Sequence, residues 1–138
     1  MPDSAVLTTP LDAAVARQAV TDETHGAVVV FEGVVRNHDH GRSVASLGYS
    51  AHPDADRVIA EVAAEVEAEF GVRAIAWHRV GDLVVGDLAL VAACASAHRR
   101  EAFSACGELV ERVKHRVPVW KRQVFTDGSH EWVGLGEC

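Results

Sequence analysis

Apolar runs and amphipathic stretches alternate along this chain, separated by short polar turns. The range 26–35 is rich in valine, and such a run of β-branched residues predicts a buried strand. Comparable runs predict further strands over residues 43–50, 72–79, 87–95, 119–126 and 130–133. The last two flank the turn Asp127-Gly128, so they predict a closing hairpin.

Three stretches have the period of a helix. In the clearest one, an apolar side chain recurs at every fourth position from 58 to 70, and Gly71 ends the pattern. Two more helices are predicted over 9–20 and 96–116, with the first residue of each as its N-cap. Three helices and about six strands predict an α+β fold with a mixed or antiparallel sheet.

The composition is that of a globular protein: 138 residues, of which 49% are hydrophobic and 24% charged. We expect one domain over residues 1–138, because a chain of this length holds a single core. The uncharged apolar run 88–97 is about half as long as a membrane-spanning helix needs to be. The start of the chain lacks the pattern of a secretory signal, so we expect a cytoplasmic protein.

The formal net charge is −7, but the charge is unevenly spread. The range 98–122 carries seven basic and three acidic side chains, whereas the rest of the chain is strongly acidic. A protein that is acidic overall is a poor general binder of nucleic acid. The cationic segment therefore predicts a local site for a small anion.

Lysine is rare in this sequence, which has eleven arginines and only two lysines, Lys114 and Lys121. Where any cation serves, this chain uses arginine, so these two positions indicate a need for primary amines. An amine can lose its proton and act as a base or nucleophile. With a helix that ends near 116, both lysines could face one cleft. The alternative is a lysine that favours the helix dipole and an unrelated strand lysine.

A second cationic group lies where a strand is predicted to meet a helix. There His98, Arg99 and Arg100 would stand close to free backbone N–H groups, an arrangement that suits a phosphate. The alternative is a pair of solvated arginines paired with acids such as Glu101. Arg36, where the first buried strand meets a loop, is a weaker candidate.

Histidines and cysteines form no convincing metal site. His38-Asp39-His40 has two histidines two residues apart, but no further ligands follow at a telling spacing. The three cysteines form no CxxC pair, which argues against a zinc knuckle or a disulfide framework. Cys94 and Cys106 are predicted to be core residues, and the third cysteine is Cys138. We expect no metal and no cofactor.

Taken in order, several of these segments resemble the family of large, catalytic subunits of molybdopterin synthase. The resemblance covers most of the chain, over about 26–133. The matching segments are FEGVVRNH (31–38), HRVGD (78–82) with Gly86-Asp87, SAHR (96–99) with Phe103, and the stretch from Lys114 through Pro118 to Trp120-Lys121-Arg122. Each segment alone is modest, but their order and spacing together are specific.

This resemblance implies an α/β-hammerhead fold and a homodimer. It also implies a partner, a small ubiquitin-like sulfur carrier that ends in Gly-Gly, so that two carriers and two catalytic subunits form a heterotetramer. The implied activity is a sulfurtransferase of molybdenum cofactor biosynthesis. Sulfur would pass from the carrier's C-terminal thiocarboxylate to cyclic pyranopterin monophosphate in two rounds, forming the dithiolene of molybdopterin. The resemblance implies no nucleic-acid or membrane partner.

The family's functional positions can be carried over residue by residue. Lys114 and Lys121 match the catalytic lysines. The implied substrate-binding residues are Val34, Val35, Arg36, His98, Arg99, Lys114, Lys121, Arg122 and Gln123. This chain departs from the family at Gln123, where an acid is common, and in the absence of lysine or arginine after Arg122.

Two other readings remain at this point. The first is a non-catalytic dimer that docks a ubiquitin-like tail without turnover, although such a binder has no need for two amines. The second is a phosphate-ester hydrolase that uses His98 as acid or base, but that residue has no convincing carboxylate or nucleophile partner in the sequence.

Overall fold

The computed structural model describes residues 3–137 of the chain. Within them the helices are α1 (Ala13–Val20), α2 (Ala55–Phe70) and α3 (Arg99–Arg116). The strands are β1 (Ala5–Leu7), β2 (Ala27–Val34), β3 (His38–Asp39), β4 (Arg42–Ala51), β5 (Arg73–Arg79), β6 (Gly81–Val84), β7 (Leu88–Ser96), β8 (Val119–Phe125) and β9 (His130–Gly134). A 3-10 turn, Leu135–Glu137, follows β9.

The first sheet has the strand order β1-β5-β7-β2, in which only β1 and β5 are parallel. Successive side chains of a strand point to opposite faces, so β7 contributes to two cores. Leu90, Ala92 and Cys94 pack with α2 and α3, whereas Val91 and Ala93 pack with α1. Strand β7 is therefore covered by helices on both faces.

The second sheet has the order β3-β4-β8-β9, and β6 also pairs with β4. A third buried cluster joins this sheet to the end of β2 and the start of β7. Its members are Val35, Val44, Leu47, Leu83, Ala89 and Phe125. The two sheets thus meet where β2 ends, and this junction positions the pocket.

The predicted α+β class is confirmed, with three helices and mixed sheets in residues 3–137. All six predicted strands are present, and the range 26–35 corresponds to β2. Helix α2 ends as expected, with Gly71 in the left-handed conformation at a φ of 65°.

Both predicted N-caps are wrong. Thr9 lies ahead of α1, and Asp12 caps that helix by accepting a hydrogen bond from the Ala14 backbone N–H at 2.9 Å. Ser96 is the last residue of β7, and α3 begins only after His98. Because the backbone of Ser96 is still in the sheet, its side chain is too early in the chain to cap the helix.

Strands β1, β3 and β6 were not predicted from the sequence. Each has only two to four residues, too few for an alternating pattern to be recognised. A turn follows β6 at residues 85–86. Gly81 opens β6 and Gly86 follows it, with φ values of 105° and 95° that favour glycine.

Ion pairs to α2 fix the C-terminal half of α3. Arg112 Nη2 lies 2.5 Å from Glu69 Oε2, and one turn later Arg116 pairs with Glu65. The helix ends at Arg116, and its C-cap Val117 precedes a proline that cannot continue it. These contacts hold the last two turns of α3 in place, and Lys114 lies in the last turn.

The structure also bears on two expectations drawn from composition, one about the cysteines and one about membrane-spanning helices. Cys94 and Cys106 are buried core residues without a disulfide, as predicted, and Cys138 lies outside the described residues. Within the described part of the chain, no helix is long and apolar enough to cross a membrane.

Candidate active site

A pocket of about 180 Å³ lies at the junction of the two sheets and the end of α3. Side chains from β2, β4, β5, β7, β8 and α3 all reach it. Six of the nine predicted site residues line this pocket: Val34, Val35, Arg36, Lys114, Lys121 and Gln123. Segments that are far apart in sequence therefore converge on one cavity.

An irregularity in β2 delivers Arg36 to this pocket. The pairing of β2 with β7 shifts register between Gly33 and Val34, and such a bulge redirects a strand. Val34 is left half-exposed at the mouth, while Val35 turns into the third core cluster. The chain then leaves the first sheet, and Arg36 stands at the rim with an exposed side chain.

Lys114 and Lys121 come from different elements and line the same pocket. Lys114 lies in the last turn of α3, and Lys121 lies on β8, paired with Tyr49 of β4. Within residues 3–137, neither amine has a hydrogen bond or ion pair to a carboxylate. Both half-buried amines are thus available to an anionic ligand.

The pocket carboxylate belongs to Asp39, which the sequence analysis considered only as part of a metal-like triplet. Its Oδ2 accepts a hydrogen bond from Gln123 Nε2 at 2.8 Å, and its Oδ1 lies 3.4 Å from Arg36 Nη2. The pKa of the Asp39 carboxyl is below its ordinary value, first because of the Gln123 hydrogen bond and then because of His40, Lys121 and Arg36 nearby. Asp39 is therefore an anion at neutral pH.

His78 is a buried histidine on the wall of the pocket, and only 2% of it is exposed. Its Nδ1 lies 2.7 Å from the Arg79 carbonyl oxygen, so Nδ1 carries the donated proton in the neutral ring. Its ring meets Tyr49 edge to face, at 4.9 Å between centroids. His78 could be recognised in the sequence only as part of a matching segment, because a lone histidine in a strand gives no sign of its surroundings.

Burial keeps the imidazole of His78 neutral. Desolvation lowers its pKa from 6.5 to about 4, the Arg79 carbonyl opposes this shift, and the charge of Lys114 adds to it. The unfolded chain therefore binds more protons than the folded one between these values. Stability from His78 is complete above about pH 6.5 and is lost as the pH falls towards about 4.

We predict that His78→Asn removes this pH dependence. Asparagine retains a donor for the Arg79 carbonyl but cannot be protonated. From neutral pH to about pH 4, the wild type should lose roughly 3 kcal/mol more unfolding free energy than the variant, measured by urea unfolding. His130→Asn, at an exposed position, should keep the wild-type slope. Equal slopes for wild type and His78→Asn would contradict a neutral buried imidazole.

The pocket continues outward into a groove of about 730 Å³. Arg36, Asp39 and Lys121 line both spaces, and Trp132 and Val133 of β9 form the outer wall. The inner cavity alone is smaller than the roughly 300–1,000 Å³ typical of small-molecule sites. A ligand of that size would therefore occupy both spaces and pass Lys121.

Within one chain, His98 and Arg99 do not lie at this pocket. They stand at the N-terminal end of α3, and Lys114 stands near its C-terminal end. At about 1.5 Å of rise per residue, the helix separates Arg99 from Lys114 by roughly 22 Å. Within a single chain, these two implied substrate-binding residues therefore lie apart from Arg36.

The two arginines of this second cationic group also differ from the alternative in which they are solvated and paired with acids. In the described range, no hydrogen bond or ion pair joins Arg99 or Arg100 to Glu101 or to another acid. Both arginines are exposed at the first turn of α3. They remain unpaired cations at a helix N-terminus.

Arg122 is also outside the pocket. It is exposed and lies between Lys121 and Gln123 on β8, and alternate residues of a strand point to opposite faces. Because Lys121 and Gln123 face the pocket, Arg122 faces away from it, opposite Trp132 of β9. Its predicted substrate contact therefore has no support within one chain.

No cluster of three or more histidine, cysteine or acidic side chains that could hold a metal is found in residues 3–137. The chemistry that the pocket offers is that of two amines, one guanidinium and one ionised carboxylate. Such a site can bind anions, stabilise developing negative charge and move protons.

Comparison with known proteins agrees with this description. The molybdopterin synthase catalytic subunit of Nostoc sp. is 41% identical over 120 residues, which cover 85% of this chain and 73% of that protein. The protein of the same name from Pyrococcus abyssi is 40% identical over 116 residues, covering 83% of this chain and 78% of that one. The crystal structure of molybdopterin synthase from Staphylococcus aureus has a TM-score of 0.90 and 32% identity, and the match covers 97% of this chain and 98% of that chain.

Fold and pocket together define a small α+β protein with an amine-lined site for anionic reactants. The MoaE protein family matches residues 6–116, most of the chain. The chain belongs to the MoaE family, whose members include the molybdopterin synthase catalytic subunits. The family resemblance read from the sequence is thereby confirmed.

Proposed function

We propose that this chain is the catalytic subunit of a molybdopterin synthase, a sulfurtransferase that acts as a single domain in the cytoplasm. Its sulfur donor is the C-terminal thiocarboxylate of a small ubiquitin-like carrier ending in Gly-Gly. Its acceptor is cyclic pyranopterin monophosphate, which becomes the dithiolene of molybdopterin. The observation that carries this proposal is the convergence of Lys114, Lys121 and Arg36 on one pocket in which, within residues 3–137, neither amine has a hydrogen bond or ion pair to a carboxylate.

The two lysines have different surroundings and so different roles. Lys114 lies beside the neutral, buried His78, and it positions and activates the thiocarboxylate. Lys121 lies near the ionised Asp39, where pocket and groove meet, and it serves the departing substrate oxygen or its proton. An ammonium group in a half-buried site stabilises thiolate and oxyanion charge more strongly than it would in water.

Each round of the reaction forms one carbon–sulfur bond on the pterin side chain and expels one oxygen group. Water then cleaves the acyl–sulfur bond and returns the carrier with an ordinary carboxylate terminus. Both halves of the round develop negative charge on sulfur or oxygen and require a proton to be moved. Lys114 and Lys121 supply a cation and a titratable proton at the place where these steps occur.

The charge of the pocket suits these reactants. Arg36, Lys114 and Lys121 carry three positive charges, and Asp39 carries one negative charge. A cyclic phosphate diester and a thiocarboxylate carry one negative charge each. The excess of positive charge in the pocket thus balances the pair of reactants, in a protein whose formal net charge is −7.

The outer groove is the route for the carrier. A Gly-Gly terminus has no side chains, so it can pass through a narrow channel that excludes other peptide ends. The groove between Arg36 and Trp132 leads past Lys121 towards Lys114. The carrier body would remain outside, and its tail would place the thiocarboxylate in the inner cavity.

A second copy of this chain supplies the remaining cations. His98 and Arg99 are too far from the pocket of their own chain, yet Arg99 is exposed and unpaired within the described residues. In a homodimer, these two residues would close the pocket of the neighbouring copy and contact the substrate phosphate. The helix N-terminus adds backbone N–H groups that suit the same anion.

Isotope tracing tests this function against the docking-module alternative. Carrier with a sulfur-35 thiocarboxylate would be mixed with the protein and cyclic pyranopterin monophosphate. We expect the label to move into the pterin product and the carrier to be released with an oxygen terminus. A carrier that binds tightly but keeps its label would favour the docking module instead.

A further inference from the structure

Asp39 is held more firmly than an acid in a surface loop usually is. Its side chain is 13% exposed, although the loop that carries it lies at the surface. Oδ2 accepts the hydrogen bond from Gln123, and Oδ1 faces both Arg36 at 3.4 Å and His40 at 3.7 Å. The two carboxylate oxygens therefore have partners on two segments, Oδ2 on β8 and Oδ1 on the loop itself.

Gln123 is the fixed point of this arrangement. It is 2% exposed and lies on the pocket-facing side of β8, paired with Leu47 of β4 and with Glu131 of β9. Its Nε2 is 2.8 Å from Asp39 Oδ2 and 3.4 Å from Glu131 Oε1. A buried amide N–H can only donate, so it favours the ionised form of the carboxylate that accepts from it.

Asp39 lies where the proposed reaction would take place. Among the described residues that line the inner cavity, it is the only acid, and it also lines the outer groove. Its neighbours Arg36 and Lys121 line both spaces as well. The loop has little other support, since β3 is only two residues long and pairs only with the start of β4. The Gln123 hydrogen bond thus joins the loop with Arg36 to the strand with Lys121.

We propose that Asp39 is a positioning residue of the sulfur-transfer site. Clamped by the Gln123 amide, it directs the Arg36 guanidinium to the pocket and places a fixed negative charge beside Lys121. The role of Asp39 in sulfur transfer rests on the proposed function, whereas its contacts with Gln123 and Arg36 do not depend on that function. We therefore expect activity to depend on the negative charge of Asp39 and not only on the shape of its side chain.

The first variant is Asp39→Asn, which keeps the size of the side chain and can still accept from Gln123. We expect kcat/KM to fall about tenfold, chiefly through kcat, because the charge that orders Arg36 and faces Lys121 is lost. A purely structural anchor would tolerate this change, since the hydrogen bond remains. Asp127→Asn, which removes another arginine-paired acid in the turn between β8 and β9, is the matched control and should leave kcat/KM unchanged.

A reciprocal exchange tests the clamp itself. Gln123→Glu alone would place two carboxylates about 2.8 Å apart and should be at least as impaired as Asp39→Asn. The double variant Asp39→Asn with Gln123→Glu again has one amide and one carboxylate in contact. We expect it to recover to within about threefold of the wild type, a coupling that independent sites would not show.

A spectroscopic measurement separates this inference from the proposed function. The chain has only two lysines, so reductive methylation with carbon-13 gives two side-chain signals beside that of the N-terminus. Asp39→Asn should move the Lys121 signal clearly and the Lys114 signal little, while Asp127→Asn moves neither. An unmoved Lys121 signal, or wild-type kcat/KM in Asp39→Asn, would overturn the inference. Absence of turnover in the wild type would count against the proposed function alone.

Discussion

Lys114→Ala should reduce sulfur transfer by at least about 100-fold, because it removes the cation that would face the thiocarboxylate. In the structure, the Lys114 amine has no acid partner within residues 3–137 and lies beside a neutral histidine. Among the described residues, the only other amine at the pocket is that of Lys121, which lies near the ionised Asp39. The measurement is dithiolene formation under saturating carrier and pterin substrate.

The controls distinguish chemistry from folding. His115→Ala changes the next residue of α3, which is exposed, and should keep nearly full activity. Lys114→Arg keeps the charge but not an amine that readily loses its proton, so we expect it to bind the carrier and to transfer sulfur slowly. Normal sulfur transfer by Lys114→Ala would refute the role proposed for this residue.

Arg99→Ala should be nearly inactive as well, and it should be rescued by Lys114→Ala when the two inactive proteins are mixed. In a dimer with shared sites, each mixed dimer has one site with both changes and one site with neither. Random exchange of subunits should then restore about a quarter of wild-type activity. This result would follow directly from the roughly 22 Å that α3 sets between Arg99 and Lys114 of one chain.

The matching control is Arg57→Ala, which removes an exposed arginine from the first turn of α2. It should be active alone, and mixing it with Lys114→Ala should give only the sum of the two activities. If Arg99→Ala and Lys114→Ala remain inactive after subunit exchange, then Arg99 does not serve the pocket of a neighbouring copy.

Much of this site can be predicted from the sequence. The rarity of lysine indicated Lys114 and Lys121, and the structure places both at one pocket. Helix and strand periodicity gave the elements that carry them, because long amphipathic stretches have a clear period. Arg36 could also be expected at a strand end, and the bulge after Gly33 explains how it reaches the pocket.

Other parts depend on contacts that no local pattern contains. Asp39 meets Gln123 across 84 residues of sequence, so its role cannot be read from the loop that carries it. The buried state of His78 arises from the packing of Tyr49 and the strands around it. The distance of His98 from the pocket of its own chain could not be predicted either, because a matching segment does not show where in the fold its residues lie.

The most direct test of the account is a single-turnover reaction of the wild type with thiocarboxylated carrier added in increasing amounts to a fixed amount of cyclic pyranopterin monophosphate. We predict that dithiolene product rises with carrier and reaches its maximum at two carriers per pterin, one for each sulfur. Carrier that binds in the groove without forming product at any ratio would contradict it.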